Sequence, residues 1–331
     1  MKPILHALVF LSCLTAKVEA LTFEIDLPSH NIAYSPQTGM LYATIPSSAG
    51  VSYGNRLIEI APISGFITDS VFVGSEPDCL AVSPDSPIAY VGLDGAAAVR
   101  QVDLTSMTAG IQFTLGPPMG FGPLYATQIA VMPGSPNTVA VSRHDVAADP
   151  DYQGLGIFDS GVMRTASITS FYGPTSISFG SSPNTLYGYD NYGQSTLYAM
   201  AVDASGVTVS SSIPDVIIGN GANILFDSGL IYATSGAVVD ANTMQLVGTY
   251  QSSGPVVVDD SDRSVVFVNK SAIRVFDRDT FVPTFSLSIP NASGNPIAAT
   301  GCGPMCIATV YDSDQIFIVP NVEYIFANGF E

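Results

Sequence analysis

A pattern of strand-forming residues recurs seven times along this chain, about every 44 residues from residue 31 onward. Each copy contains a short apolar run that follows a turn rich in Ser, Pro, Gly and Asp. These runs occupy residues 41–44, 89–92, 139–142, 186–189, 231–234, 266–269 and 307–310. A strand-only repeat of this period builds a radial array in which each unit buries its faces against its neighbours. The sequence therefore predicts an all-β fold, a seven-bladed β-propeller of four-stranded antiparallel blades.

The two ends of the repeat region are predicted to close the ring. Residues 23–36 align without gaps onto residues 71–84, so residues 21–27 correspond to the outermost strand of a blade. The last repeat supplies only three strands, at 297–300, 306–310 and 315–319. We therefore expect the N-terminal strand to complete the last blade, which removes an exposed sheet edge. Residues 21–319 then form one propeller domain. Residues 320–331 form a C-terminal tail, which is either typical of exported proteins or a strap across the last blade.

Residues 1–20 have the features of an export signal. Lys2 provides a positive start, residues 4–14 are apolar, and Ala20 ends an acceptable cleavage site. Cys13 leaves a lipoprotein signal open as an alternative, although the residues before it fit a lipobox poorly. The apolar stretch is too short to span a bilayer, and no later segment reaches about 18 consecutive apolar residues. We expect a protein without a transmembrane segment that is secreted or periplasmic after cleavage of the signal.

The charge balance limits the possible partners. The chain has 28 acidic against 10 basic side chains, a net charge of −18. Such a surface repels phosphate backbones and anionic lipid, so nucleic acid is excluded as a partner. Cations, neutral glycans and basic protein surfaces remain, and we expect a monomer with an unknown protein or glycan ligand.

The cysteines predict one disulfide. Cys302 and Cys306 flank the expected turn between the first two strands of the last blade, and export permits their oxidation. A metal pair is the alternative, but no histidine or further cysteine lies near in sequence to complete four ligands. Cys79 is expected to be a buried, reduced residue of an inner strand.

A group of aspartates ends the third strand of several repeats. An Asp at the first position of a turn accepts hydrogen bonds from backbone N–H groups two or three residues later. We therefore assign a structural role, and no catalytic one, to Asp103, Asp159, Asp203, Asp240 and Asp277.

The turns and strands together resemble those of a known family. Ser-Pro turns at residues 35–39 and 83–85, the Tyr-Val/Ala strand and the Val-Asp-x-x-Thr turn at 239–243 are similar to those of YVTN/YncE-type seven-bladed propellers. That family is close in fold to lactonase-type and quinoprotein-like propellers. The resemblance covers about 290 residues and implies the architecture; it carries no activity, because these motifs are the structural residues of a blade.

Several enzyme classes lack their chemistry here. The chain contains no tryptophan, which argues against Trp-Asp repeats and against tryptophan-docked pyrroloquinoline quinone. After residue 20 only His30 and His144 remain, too few for a multi-copper or haem centre. No Gly-x-Ser-x-Gly motif occurs, so a serine hydrolase of that type is not expected.

Two long loops predict a binding surface on the third blade. They span residues 117–127 and 143–154, and long loops on a rigid scaffold commonly carry function. Apolar contacts are expected from Phe121, Leu124, Tyr125 and Tyr152, and orienting polar contacts from Arg143, His144, Asp145, Asp149 and Asp151. The three aspartates of the second loop also leave a calcium site open as an alternative to a simple solvated loop. Their spacing is not that of an EF-hand, so this alternative depends only on the number of carboxylates.

The mouth of the central channel provides a second candidate. His30 and Asp78 occupy matching positions of neighbouring blades, where later blades have Thr127, Thr175, Ala222, Pro255 and Pro296. The favoured function is a non-enzymatic binding or surface-interaction module with no catalytic residue, cofactor or metal. The alternative is a lactonase-like hydrolase at this mouth that would use His30, Asp78 and Arg143.

Overall fold

The chain folds into seven four-stranded antiparallel sheets arranged as blades of a propeller, as the repeat predicts. The computed structural model describes residues 22–116, 122–170, 172–191, 193–219 and 221–320. Within those ranges, helix is confined to one 3₁₀ turn, Ser47–Ala49, and one α-helical turn, α1, Gly50–Tyr53.

Each blade follows the chain from its innermost to its outermost strand, except that the first strand of the chain belongs to the last blade. The strands are β1 (Phe23–Asp26); blade 1, β2 (Asn31–Ser35), β3 (Met40–Ile45), β4 (Arg56–Ile60) and β5 (Ile67–Phe72); blade 2, β6 (Pro77–Val82), β7 (Ile88–Leu93), β8 (Ala98–Asp103) and β9 (Thr108–Thr114); blade 3, β10 (Tyr125–Met132), β11 (Ser135–His144), β12 (Tyr152–Asp159) and β13 (Val162–Met163); blade 4, β14 (Ser176–Phe179), β15 (Thr185–Tyr189), β16 (Thr196–Asp203) and β17 (Gly206–Pro214); blade 5, β18 (Ile224–Asp227), β19 (Leu230–Ala233), β20 (Ala237–Asp240) and β21 (Gln245–Thr249); blade 6, β22 (Val256–Asp259), β23 (Ser264–Asn269), β24 (Ala272–Asp277) and β25 (Pro283–Ser288); and blade 7, β26 (Pro296–Gly301), β27 (Cys306–Tyr311) and β28 (Gln315–Pro320).

The N-terminal strand closes the ring. β1 pairs antiparallel with β28, with Phe23 opposite Ile318 and Asp26 opposite Gln315, and the sheet order is β1-β28-β27-β26. The predicted closure is confirmed, with two adjustments at its ends. Leu21 lies outside the described residues, and β28 extends to Pro320, one residue beyond the expected end of the propeller. The tail from residue 321 onward lies outside the described residues as well.

The second strand of each blade forms most of the core. β3 is buried from Leu41 to Ile45, whereas the outermost strand β9 is exposed along nearly its whole length. The second strand of a blade is covered on both faces by neighbouring blades. Its side chains are therefore apolar on both faces, and they do not alternate between apolar and polar. The repeated tyrosine also links blades: the Tyr90 hydroxyl donates to the Pro136 carbonyl of the next blade at 2.9 Å.

Cys302 and Cys306 form a disulfide across the turn between β26 and β27, with their Cα atoms 5.0 Å apart. This confirms the predicted pairing, and it removes both thiols as metal ligands. Cys79 is free and buried, and its thiol donates to the Ala126 carbonyl at 3.6 Å. Burial raises the pKa of the Cys79 thiol well above its usual value, so the thiol stays protonated and unreactive.

The aspartates at the ends of third strands stabilise turns. Asp240 Oδ1 accepts from the backbone N–H groups of Asn242 and Thr243 at 3.0 and 2.8 Å. The same arrangement holds at the other sites of this kind, Asp103, Asp203 and Asp277. Asp159 differs in its partners: it accepts two hydrogen bonds from Arg164 and one from the Thr138 hydroxyl. Its carboxylate therefore ties strands together instead of capping a turn.

Candidate functional site

Two loops project from one face of the propeller on either side of blade 2. They span residues 46–55 between β3 and β4 and residues 145–151 between β11 and β12, whereas the matching loop of blade 2 is only 94–97. Val51 is fully exposed in the first loop, and Val146 is 73% exposed in the second. Long loops were expected in blade 3 alone, and the blade 1 loop corrects that expectation, because its ten residues also project between the second and third strands. We call residues 46–55 and 145–151 the flanking loops.

The connector that enters blade 3, residues 115–124, supplies little exposed apolar surface among its described residues. Leu124 is only 2% exposed and packs in the core between blades 2 and 3. Tyr125, at the start of β10, is half-buried. Phe121 lies outside the described residues. Of the four expected apolar contacts, Tyr125 is therefore the one the structure leaves at the surface among the described positions.

Asp145 organises the blade 3 loop from inside. Its carboxylate accepts from the Ala147 N–H at 2.9 Å, and its own N–H donates to the Asp151 carbonyl at 2.8 Å. The residue is 1% exposed, so it shapes the loop and is not available to orient a partner. Asp149 is exposed and Asp151 half-buried. No three His, Cys, Asp or Glu side chains among the described residues are placed to hold a metal ion, so these aspartates do not converge on a calcium site.

Arg143 and Tyr152 are buried inside blade 3, 3% exposed each. The Arg143 guanidinium donates to the Leu115 carbonyl at 3.0 Å, and burial lowers its pKa. Adjacent residues of a strand point to opposite faces of the sheet, so Arg143 turns away from the side of His144. Arg143 therefore does not join His30 and Asp78 as a polar contact at the channel mouth, and neither buried residue can touch a partner at the surface.

His30 and Asp78, which the register of the repeats places at matching positions of neighbouring blades, lie in contact. His30 Nδ1 lies 3.3 Å from Asp78 Oδ1, and both side chains are about two-fifths exposed, at 41% and 39%. The same ring nitrogen lies 3.2 Å from the Pro77 carbonyl. The Asp78 carbonyl accepts from the Thr44 hydroxyl at 2.8 Å, which fixes blade 2 against blade 1 at this point.

An acidic patch surrounds this pair on blade 2. Asp94 follows β7, and its Oδ1 is buried without a hydrogen-bond partner in the described structure. Burial raises the pKa of Asp94 to about 6, and repulsion from Asp78 and Glu76 adds to the rise while His30 opposes it. We call Glu76, Asp78 and Asp94 the acidic saddle, because it lies between the flanking loops.

Sequence reasoning missed two members of this patch, Asp94 and Glu76. Asp94 directly follows the second strand of blade 2, as Asp145 follows that of blade 3, so the repeat register carried a usable signal for it. Glu76 had no such signal, because its place depends on contacts between blades. Its carboxylate accepts from the Ser47 N–H in the blade 1 loop, and its own N–H donates to Asn55 Oδ1 at 2.9 Å.

His144 faces the saddle from blade 3. Its Nδ1 lies 3.1 Å from the Thr127 hydroxyl, and its ring centroid is 5.5 Å from that of Tyr125. Burial lowers the pKa of His144, against the opposing fields of Asp151, Asp78 and Asp145. The ring is therefore neutral at pH 7 and leaves the negative charge of the saddle uncompensated from this side.

The central channel contains a cavity of about 1300 Å³. Ala222, Pro255 and Pro296, three of the expected mouth residues, line it. Thr175, another of them, donates its hydroxyl to Asn191 Oδ1 at 2.7 Å. Most of the cavity wall comes from the inner strands of blades 5, 6, 7 and 1, so the cavity is displaced from the saddle of blade 2.

None of the described helices is long and apolar enough to cross a membrane.

Comparison with known proteins supports the fold and goes no further. No protein family matches this chain, and no curated protein is detectably similar in sequence. Among solved structures, a chain of hydrazine synthase from Kuenenia stuttgartiensis superposes with a TM-score of 0.68 over 93% of this chain and 99% of that chain. The two sequences are 13% identical, so the similarity is one of architecture.

Proposed function

We propose that this protein is an exported, non-enzymatic propeller of the YVTN/YncE type that binds a partner across the acidic saddle and the flanking loops. Export is supported by the signal-like residues 1–20 and by the Cys302–Cys306 disulfide, which fits a secreted or periplasmic protein. The family assignment is supported by the turn and strand motifs and by the blade architecture they accompany.

The single observation that carries the proposal is the unpaired carboxylate of Asp94 beside Asp78. Because Asp94 Oδ1 is buried without a hydrogen-bond donor, ionisation of this carboxyl is costly, and a positive charge that a partner places over the saddle would offset part of that cost through its electric field. Val51 and Val146 stand on either side with large exposed fractions. An apolar rim around a negative centre fits a protein partner that presents a basic side chain among apolar ones.

Capture of envelope and extracellular material by the purified protein tests this proposal. Val146→Asp, and separately the shortening of residues 145–151 to a tight turn, should abolish capture while leaving the melting temperature nearly unchanged. Phe66→Asp is the matched control, because Phe66 is 72% exposed in the loop between β4 and β5 on the opposite face. Capture that survives both blade 3 changes, or that is lost with Phe66→Asp, would remove the flanking loops from the binding surface.

A lactonase-like hydrolase is the second candidate, and the contact between His30 and Asp78 favours it. A histidine oriented by a carboxylate can act as a general base, and Asp94 with a pKa of about 6 is suited to proton transfer near neutral pH. This function predicts turnover of simple lactones that is lost in His30→Ala and Asp78→Ala. Absence of turnover by the unaltered protein on such a panel would count against it.

A further inference from the structure

Side chains tie together the inner strands on one half of the channel. Gln128 of β10 accepts from the Ile177 N–H of β14 at 2.6 Å. Ser176 of β14 accepts from the Ile224 N–H of β18 at 2.9 Å, and Ser178 makes the same kind of bond to a second amide of β18. These bonds use backbone groups that would otherwise face the channel.

Around β22 the described structure shows no such ties. In the described structure no hydrogen bond joins the backbone of β22 to β18 or to β26. An antiparallel strand with one neighbour directs every second N–H and C=O away from that neighbour. Among the described residues, the free edge of β22 therefore directs unpaired backbone donors and acceptors toward the cavity, which Val256 and Val258 line.

The same part of the wall is apolar. Leu225, Val256, Val258 and Ile297 line the cavity there. Leu225 is 36% exposed and Ile297 44% exposed, although both belong to innermost strands. An apolar surface and an unpaired strand edge therefore face the same space.

We infer that this cavity is a binding site for an extended peptide segment with apolar side chains. A peptide strand added to the β22 edge would pair the free backbone groups, and its side chains would contact the apolar wall. An alkyl chain would contact the apolar wall but would make no hydrogen bonds to the backbone groups of β22. Leaving those polar groups buried without partners is unfavourable. The cavity follows inner strands of up to six residues, so about six peptide residues fit at about 3.3 Å each.

Charge at one end of the cavity sets the expected direction of the peptide. Asp259 and Asp260 line that end, and Asp227 lies near them. Arg278 contacts Asp260 and lies 3.6 Å from Asp227, so its single positive charge faces two carboxylates, and Asp259 adds a further negative charge at this end. A basic residue at the end of the peptide is the complement of this mouth. The site is separate from the acidic saddle, so this inference does not depend on the proposed function.

A labelled hexapeptide, Lys-Val-Thr-Val-Thr-Val amide, is the probe, with binding to the purified protein followed by fluorescence anisotropy. Ile297→Trp should place a bulky ring on the apolar wall, in the space that the peptide side chains would occupy, and abolish binding. Ile111→Trp is the matched control, because Ile111 is 43% exposed but lies on the outermost strand β9. Methylation of alternate peptide amides keeps the apolar side chains but removes donors, and should weaken binding about tenfold or more, as expected for the loss of one or two hydrogen bonds.

Three results would overturn the inference. They are no binding by the unaltered protein, equal binding by Ile297→Trp and the control, or equal affinity for the methylated peptide. Binding of a dodecyl probe in place of the peptide would assign the cavity to alkyl chains instead. Asp94→Asn should leave peptide affinity unchanged, which separates this site from the acidic saddle.

Discussion

Asp94→Asn should stabilise the protein at neutral and alkaline pH and have little effect in acid. The carboxyl of Asp94 has a pKa raised from 3.8 to about 6 by burial and by Asp78 and Glu76. A raised pKa means that the folded state holds the proton more tightly than the unfolded state. The protein therefore loses stability as pH rises from about 4 through about 6, where the folded carboxyl ionises. Asparagine does not ionise, so the variant escapes this loss.

The size of the effect follows from the same values. A tenfold change in proton affinity corresponds to about 1.4 kcal/mol, which gives an upper value of about 3 kcal/mol for this rise in pKa. Asp94 is partly exposed, and solvent screening reduces the expected gain to about 1–2 kcal/mol at pH 8. Urea unfolding of both proteins between about pH 4 and about pH 8 measures it. Asp69→Asn, at an exposed position of the outer strand β5, is the control for removing one negative charge.

The result that refutes this reasoning is specific. If the difference in unfolding free energy between Asp94→Asn and the unaltered protein does not grow between pH 4 and pH 8, Asp94 is not a strained carboxylate. A gain of the same size in Asp69→Asn would instead assign the effect to the overall negative charge of the chain.

Three further perturbations, one reduction and two substitutions, test the framework of the propeller. Reduction of the Cys302–Cys306 bond, whose partners are four residues apart, should lower the unfolding free energy by about 2 kcal/mol, and an unchanged urea midpoint would contradict this. Asp240→Ala should lower the melting temperature without altering partner capture, since its carboxylate bonds only to its own turn; altered capture at normal stability would give Asp240 a functional role. Phe267→Ala should cost about 3–5 kcal/mol, because Phe267 is fully buried against Tyr250; a loss below about 1 kcal/mol in urea unfolding would show that the core of blade 6 is loosely packed.

The architecture could be predicted from sequence because each blade repeats the same order of turns and strands. Turn residues and apolar second strands recur at a fixed spacing, and a gapless alignment of residues 23–36 onto 71–84 identified the closing strand. The disulfide followed from the same register, since Cys302 and Cys306 fell at either end of one turn. The same register placed His30 and Asp78 at matching positions of neighbouring blades, but it did not specify that the two side chains would be in contact.

The rest of the site depends on information that the repeat does not contain. Residues 46–55 are rich in Pro, Ser, Gly and Asn, which indicates a loop, but the projection of that loop depends on a short helical turn that a strand register cannot foresee. The burial of Arg143 depends on which face of β11 packs against the next blade. The raised pKa of Asp94 arises from charges on separate elements, so it required the packed structure.

The most direct test of the binding account is hydrogen–deuterium exchange of the protein alone and with its captured partner. The account predicts slower exchange with the partner bound in residues 46–55, 94–97 and 145–151, which all lie on one face around the acidic saddle. Loops of the opposite face, such as residues 61–66, should exchange at the same rate in both samples. Protection confined to the opposite face, with unchanged exchange in both flanking loops, would contradict the account.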